Sequence, residues 1–204
     1  MARKADPEKK NNIIAAAIRV FSQKGFAGAR IIDVARDADI GKGTIYEYFQ
    51  SKEDLFFAVF QQVMHESEIS MAASGESDNV SQNLKSMGDA LISTWLDKLE
   101  LYSLVMEFWS ATTASASRDR FKSTFQAGYQ AFRQSIAALI REGILKGEFS
   151  PDCHPAEVAS GLIGMWDALL LQAWLDNTFD ALTSSRVCLD VMLRGLARQE
   201  DKGS

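Results

Sequence analysis

Residues 30–52 of the chain read RIIDVARDADIGKGTIYEYFQSK, and this stretch decides the fold. Apolar residues recur at helical spacing on both sides of a breaker segment, residues 39–41, in which Ile40 is the buried member. The pattern predicts two short helices joined by a tight turn. The side chains left outside the shared apolar face are a cation, a hydroxyl and two phenols, from Lys42, Thr44, Tyr46 and Tyr48. Such groups suit phosphates and base edges, so the stretch is typical of a helix-turn-helix that reads duplex DNA.

A helix is predicted on each side of this stretch. Residues 6–8, Asp-Pro-Glu, supply an N-cap, a proline at the first helical position and an acid near the helix dipole, and the helix they open is predicted to stop at Gly25. Ser51 and Asp54 have the spacing of a serine cap and predict a fourth helix. Lys52 lies in its first turn, where backbone N–H groups favour an anion.

These residues resemble the tetracycline-repressor (TetR) family of bacterial transcriptional regulators. The resemblance is carried by IIAAAIRVFSQKGF at 13–26, DVA at 33–35, KGTIYEYF at 42–49 and SKEDL at 51–55. It implies an all-α fold of about nine helices. It also implies a three-helix DNA-binding domain at residues 1–52 and a larger helical ligand-binding and dimerisation domain at 53–204.

The resemblance further implies that the third helix enters the major groove. The matching positions that contact DNA in the family are Lys42, Gly43, Thr44, Tyr46, Tyr48 and Lys52. Three residues depart from the family pattern: Arg30 replaces a capping Thr, Asp39 replaces a turn Gly, and Gly41 replaces a capping Ser. We expect Arg30 to add a phosphate contact, and Asp39 to tolerate the backbone angles of the turn.

Charge is divided unevenly along the chain. Residues 1–52 carry ten Lys and Arg against six Asp and Glu, a net charge of +4, whereas the whole chain has a net charge of −5. Affinity for a polyanion should therefore depend on this basic head and fall with added salt. Arg3, Lys4, Lys9 and Lys10 form a basic N-terminal arm, which either contacts DNA or only adds solubility.

The remainder of the chain is predicted to be helical, because only three prolines occur and apolar residues keep helical spacing throughout. The fourth helix is expected to continue from the head into the larger body. Five more helices follow, with Pro155 opening the eighth and the glycines Gly143 and Gly147 ending the seventh.

The last two helices have apolar residues on more than one face, and Gly161, Gly164 and Ala168 would let another backbone approach closely. The resemblance implies a homodimer through these two helices, and the alternative is an internal contact within one subunit. Two heads on a two-fold axis could read two half-sites of an operator.

The body carries more aromatic surface than a minimal bundle needs, interleaved with polar groups. Each aromatic side chain can be interpreted as core, but the resemblance favours an effector site. Glu107 and Asp167 lie in apolar helix segments and need a partner from the protein or from a ligand, so a cationic or amphipathic aromatic effector is a hypothesis. The predicted ligand-binding residues are Trp95, Glu107, Phe108, Phe125, Tyr129, Trp166 and Asp167.

Catalysis has little support in the sequence. Cys153 and His154 are adjacent, and adjacent residues seldom orient a Cys and a His towards each other, so a loop before Pro155 is the simpler interpretation, with redox sensing by Cys153 left open. No cofactor or metal site is predicted. We expect a cytoplasmic protein without a signal peptide, without an apolar run near membrane-spanning length and without a membrane partner.

The sequence therefore predicts a dimeric DNA-binding regulator, most simply a repressor that a small molecule releases from operator DNA. The alternatives are a ligand-dependent activator, or a helical binding or enzymatic domain whose DNA head is incidental.

Overall fold

The computed structural model describes residues 6–72, 77–114 and 117–197. Its helices are α1 Pro7–Gly28, α2 Ile31–Asp37, α3 Lys42–Tyr48, α4 Lys52–Ala72, α5 Val80–Leu96, α6 Tyr102–Ala114, α7 Arg118–Leu145, α8 Pro155–Leu175 and α9 Ala181–Leu196, with a 3-10 helix at Leu99–Leu101. Within the described residues the only β-type pairing is one antiparallel bridge between Phe149 and Ala197. The all-α prediction is confirmed. Arg3 and Lys4 of the predicted basic arm lie outside the described residues.

The start signals in the sequence act as predicted. The Asp6 carboxylate accepts from the backbone N–H of Glu8 at 3.0 Å, and the Ser51 hydroxyl accepts from that of Asp54 at 3.0 Å. Pro155 is the first residue of α8. The Asp6 and Ser51 side chains satisfy backbone donors that have no acceptor within the first turn of a helix, and proline removes such a donor, which is why these starts could be predicted locally.

The turn between α2 and α3 closes with two backbone hydrogen bonds. The Ile40 N–H donates to the Ala35 carbonyl at 3.0 Å, and the Asp39 N–H donates to the Arg36 carbonyl at 3.3 Å. Asp39 has a φ of 53° and is the one non-glycine residue with positive φ in the described ranges. This is a Schellman ending, in which Asp39 occupies the left-handed position that glycine usually fills.

The chain divides into two compact units. Unit 1 comprises Met1–Glu66 and Glu100–Phe125, and unit 2 comprises Ser67–Leu99 and Gln126–Ser204. The helices α4 and α7 each contribute residues to both units. Compact packing therefore groups α6 and the start of α7 with the three-helix head. The boundary between residues 52 and 53 stays a prediction about where DNA and effector bind.

Unit 2 is built around α5, α8 and α9. Trp166 of α8 is fully buried, and its indole N–H donates to the hydroxyl of Ser185 on α9 at 3.1 Å. The carboxylate of Glu148 accepts from the backbone N–H groups of Val80 and Ser81 at 2.9 and 3.1 Å, and so caps α5. The indole N–H and the first N–H groups of α5 therefore each have a hydrogen-bond acceptor inside unit 2.

One expectation about α8 is wrong. Within the described residues α8 is long and apolar enough, by length and composition, to cross a membrane. The core helix of a bundle passes the same test, since it too is apolar around most of its circumference. In this structure α8 packs against α5 and α9, so that its apolar residues form part of the core of unit 2.

The end of α7 also differs from the prediction. Gly143 does not end the helix, which continues to Leu145, and the left-handed ending comes at Gly147, with a φ of 76°. Gly143 is needed because the buried ring of Phe149 lies where its Cβ would be. Glycine is therefore required for different reasons at the two positions: at Gly143 because a side chain packs closely, and at Gly147 because of the backbone angle.

Candidate nucleic-acid interface and effector residues

The helix α3 presents a polar face. Lys42 and Gly43 are exposed, and Tyr46 is 48% exposed, while Ile45 is fully buried against the head core. The Lys42 ammonium lies 5.8 Å from the centre of the Tyr46 ring, a cation–π distance that holds both side chains on the same face. No atom lies within 4 Å of a Cβ built on Gly43, which leaves open space beside the backbone there. This face has the groups that a phosphate or a base edge requires.

Two predicted contact residues of α3 are less available. Thr44 and Tyr48 are half-buried, and the Tyr48 hydroxyl accepts from the backbone N–H of Asp6 at 3.2 Å. Tyr48 therefore connects the end of α3 to the start of α1. Its hydroxyl can still donate to a phosphate oxygen, because a phenol donates one hydrogen bond and also accepts.

Arg30 precedes α2, and its side chain is 72% exposed. Arginine has no acceptor atom, so it cannot replace the missing Thr cap. The buried Asp33 carboxylate instead accepts from the Arg30 backbone N–H at 3.1 Å, which is half of a capping box. Hydrogen bonds from Arg30 and Lys24 hold the pKa of Asp33 at about 2, below its ordinary value of 3.8. The Arg30 guanidinium remains near the surface, at the edge of the head.

The ammonium group of Lys52 has hydrogen-bond partners within unit 1. Its ammonium donates to the carbonyl oxygens of Phe26 and Ala29 at 2.5 and 2.9 Å, and it lies 4.3 Å from the centre of the Phe26 ring. The side chain is half-buried. Its position in the first turn of α4 predicts a phosphate contact, and such a contact would compete with the two carbonyls that already accept from the ammonium.

Glu107, which lies on α6, also reaches Phe26. Both of its carboxylate oxygens accept from the Phe26 backbone N–H, at 3.0 and 2.8 Å. The sequence analysis left open whether the partner of this acid comes from the protein or from a ligand, and the structure supplies one from the protein. A part for Glu107 in an effector site therefore stays a prediction.

A cluster of phenylalanine rings fills the middle of unit 1. Phe108 is fully buried, with ring centres at 4.8 Å from Phe56 and 5.0 Å from Phe60. Phe125 lies 4.7 Å from Phe60 and is half-buried. Phe108 thus has the surroundings of a core side chain, whereas Phe125 is at the margin of the cluster.

Unit 2 brings together three of the other predicted effector residues. The Tyr129 hydroxyl of α7 donates to the Asp167 carboxylate of α8 at 2.7 Å. Trp166, the neighbour of Asp167 in sequence, stacks on Phe132 with ring centres 6.0 Å apart. Burial raises the pKa of Asp167, while the hydrogen bond from Tyr129 opposes that shift. Trp95 is half-buried on α5.

The sequence predicts Phe26 as an apolar plug against α2 and α3 and does not identify the contacts of its backbone with α4 and α6. A signal for them was present, because Gly25 has a φ of 67° and a ψ of 164°, a combination that only glycine adopts readily. The helix α1 breaks there and resumes for one turn, so the Phe26 N–H is turned out of the helix direction. The sequence predicted the break but not which side chains would meet it.

The neighbourhood of Cys153 does not favour nucleophilic chemistry. The residue is half-buried, and burial raises the pKa of its thiol, which reduces the thiolate fraction at neutral pH. His154 is the residue before the first turn of α8 and makes no cap with its side chain. In the described part of the chain no group of three or more His, Cys, Asp and Glu side chains has the arrangement to hold a metal ion.

Comparisons with known proteins agree with this geometry. The family described as bacterial regulatory proteins, tetR family, matches residues 13–59, and the family described as tetracyclin repressor-like, C-terminal domain, matches residues 108–188. The transcriptional regulator YfiR of Bacillus subtilis (strain 168) is 27% identical over 166 residues, which is 81% of this chain and 80% of YfiR.

Solved structures share the fold. A TetR transcription regulator from Haloarcula marismortui superimposes with a TM-score of 0.84 at 19% identity, over 95% of this chain and 100% of its own. A transcriptional regulator from Saccharomonospora viridis, solved in complex with choline, superimposes with a TM-score of 0.81 at 20% identity, over the same fractions. The helix-turn-helix, the second domain and the shared fold lead to one conclusion: the chain belongs to the TetR family of bacterial transcriptional regulators and not to a class of enzymes.

Proposed function

We propose that the protein is a homodimeric repressor that binds operator DNA through α3 and is released by a small organic effector, most simply a cation. The exposed Lys42 and Tyr46 on α3, above a fully buried Ile45, are the observation that carries the DNA-binding part. A seven-residue helix with one buried face and one polar, cationic face suits the major groove. A protein that acts on the bacterial chromosome is expected in the cytoplasm.

The test of this docking face is a pair of lysine variants. Lys42→Met removes a predicted phosphate contact and should lower affinity for operator DNA. It should also reduce the slope of log affinity against log salt by about 1. The matched control is Lys122→Met, which removes one exposed lysine from α7 in the same compact unit. Fluorescence anisotropy over a salt series, with the duplex that the wild type selects from a random-sequence pool, measures both quantities. Equal slopes for the two variants would exclude Lys42 from the DNA interface.

Dimerisation through α8 and α9 is supported by their exposed apolar side chains. Leu171 and Leu175 of α8 and Val187 and Val191 of α9 are exposed, although each helix also has a buried side. Gly161, Gly164 and Ala168 follow the same outward side of α8 and leave room for a second backbone. A second copy that packs four such helices together would remove this apolar surface from water.

The effector part of the proposal is supported by the Tyr129–Asp167 pair. The Asp167 carboxylate is partly buried and accepts from Tyr129, while Phe132 and Trp166 of the same two helices stack on each other. The helices α7 and α8 thus supply a negative charge and aromatic rings, the groups that bind organic cations. The choline bound by the regulator from Saccharomonospora viridis is a compound of that class. Weaker binding of choline by Asp167→Asn than by the wild type, measured by calorimetry, would support the assignment.

Release of DNA requires that effector binding in unit 2 changes the head in unit 1. The helices α4 and α7 are both continuous through the residues where one unit gives way to the other, so either can transmit a displacement. Thermodynamic linkage then makes the effect reciprocal: operator DNA must weaken effector binding by the same factor by which effector weakens operator binding.

A further inference from the structure

The backbone of Phe26 is held on both sides of its Cα by charged side chains of two other helices. Its N–H donates to both carboxylate oxygens of Glu107 on α6, at 3.0 and 2.8 Å. Its carbonyl accepts from the ammonium of Lys52, in the first turn of α4, at 2.5 Å. The same ammonium also bonds the Ala29 carbonyl at 2.9 Å. The two consecutive peptide groups that flank the Phe26 Cα thus connect the end of α1 with α4 and α6.

The charges of Glu107 and Lys52 have the signs that stabilise the two ends of a helical turn. Residues 26–28 form one turn after the break at Gly25, and the Ala29 N–H closes it on the Gly25 carbonyl at 3.1 Å. A carboxylate at the N-terminal end and an ammonium at the C-terminal end both interact favourably with the peptide dipoles. Hydrogen bonds to charged groups are also about twice as strong as those between neutral groups. This short turn is therefore fixed more firmly than its length suggests.

The position of the turn determines its consequence. Residues 26–28 are the last turn of α1 and lie two residues before α2, the first helix of the helix-turn-helix. The Phe26 ring packs on Phe56 of α4 with ring centres 4.5 Å apart. A displacement of α6 that moves the Glu107 carboxylate must pull on the Phe26 N–H or release it. In either case the start of α2 loses its fixed position, and the reading helix α3 follows because the Schellman turn joins it to α2.

We infer that Glu107 and Lys52 are positioning residues for operator binding, which act through the backbone of Phe26 and not through effector or DNA. Glu107 fixes the α1–α2 connection to α6, and Lys52 fixes it to α4. This inference rests on the proposed DNA-binding function. It assigns Glu107 to the relay between α6 and the reading head, whereas the sequence analysis placed it in an effector site and placed Lys52 on a phosphate.

The experiment is a double-mutant cycle on the full-length protein. Glu107→Ala and Lys52→Met should each lower affinity for the selected duplex by roughly tenfold, the order expected for one charge-assisted hydrogen bond. The double variant should lose far less than the hundredfold that independent sites would give, because both residues fix the backbone of the same residue, Phe26. Glu107→Gln keeps an acceptor without the charge and should lie between wild type and Glu107→Ala.

The salt dependence separates positioning from direct contact. Lys52→Met should leave the salt slope unchanged, whereas loss of a phosphate contact would reduce it by about 1. Glu100→Ala is the matched control, since it removes an exposed acid from the same unit just before α6 and should bind like the wild type. Amide hydrogen exchange at Phe26 should be faster in Glu107→Ala and unchanged in Glu100→Ala.

The possible failures are distinguishable. A wild-type protein that selects no duplex contradicts the proposed function itself. A wild type that binds DNA, together with a Glu107→Ala variant of unchanged affinity and unchanged exchange at Phe26, overturns the inference alone. Additive losses of affinity in the double variant, with a reduced salt slope for Lys52→Met, would show that Lys52 contacts a DNA phosphate directly. Sedimentation and thermal unfolding of each variant confirm that the dimer and the fold are intact.

Discussion

The pKa values of two carboxyl groups, Asp33 and Asp167, are shifted in opposite directions by their surroundings. Asp33 is stabilised in its ionised form by hydrogen bonds from Arg30 and Lys24 and from the Arg30 backbone. Asp167 is disfavoured in its ionised form because it is buried in unit 2. The first arrangement is a structural cap, and in the second burial disfavours the charge while the Tyr129 hydrogen bond favours it. Burial and hydrogen bonding thus shift the pKa of the same residue type in opposite directions.

Asp33→Asn should destabilise the protein at neutral pH. The pKa of the folded carboxyl is about 2, below its ordinary value of 3.8, so its stabilising contribution is present above pH 3.8 and is lost as the pH falls towards 2. The difference in free energy of unfolding between wild type and variant should accordingly be largest above pH 5 and shrink at pH 2.5. Urea unfolding at both pH values measures it. A difference that does not change with pH would mean that Asp33 acts through packing alone.

Asp167→Asn should have the reverse effect. The pKa of the folded carboxyl lies above 3.8, so ionisation costs folding free energy as the pH rises through that range, and the cost persists at pH 7. The variant should be at least as stable as wild type at pH 7 and equal to it near pH 3, while it binds choline or another quaternary ammonium more weakly. Thermal unfolding and calorimetry give the two readouts. A less stable variant at pH 7 would show that the Tyr129 hydrogen bond outweighs burial.

At the scale of the elements, the local signals and the long-range contacts differ in how far the sequence reveals them. Helix starts were predictable because Asp6 and Ser51 accept from backbone N–H groups two or three residues later, and because Pro155 has no N–H that needs an acceptor. The exposed face of α3 was predictable because helical spacing separates Ile45 from its polar neighbours. Both depend only on neighbours in the chain.

The contacts that the sequence could not reveal join distant residues. Lys52 and Phe26 are 26 positions apart, and Glu107 and Phe26 are 81 apart. The residue types showed that these charges need partners, but only the packing of α1, α4 and α6 shows which backbone groups provide them. The need for glycine at position 143 was likewise not predictable, since it comes from contact with the ring of Phe149 and not from a turn.

The two helical glycines of α7 provide a matched test. Gly143→Ala should destabilise the protein by about 1–3 kcal/mol, because the new Cβ would overlap the fully buried ring of Phe149. Gly128→Ala, in the same helix, should stabilise it by roughly 0.5–1 kcal/mol, since no atom lies within 4 Å of the new Cβ and alanine favours helix. Chemical unfolding of both variants checks the signs. A stabilising effect of both would mean that Phe149 can move aside.

At the scale of the whole molecule, the outward apolar sides of α8 and α9 predict the oligomeric state. Leu171→Glu together with Val191→Glu should convert a dimer into a monomer and lower operator affinity at least tenfold, because a charge cannot be buried in that interface without a partner. Leu145→Glu is the control. It alters a side chain that is 88% exposed, at the end of α7, and should leave the dimer intact. Analytical ultracentrifugation distinguishes the two species, and a dimeric double variant would place the interface elsewhere.

The exposed side of α8 and α9 has a further consequence for gene dosage. If burial of that side completes the fold, the melting temperature must fall on dilution, because a subunit without its counterpart leaves leucine and valine side chains in water. Where most subunits are monomeric, the concentration of dimer then rises with about the square of the number of copies per cell. Occupancy of a target promoter would respond more than proportionally to synthesis, even in the absence of any small molecule.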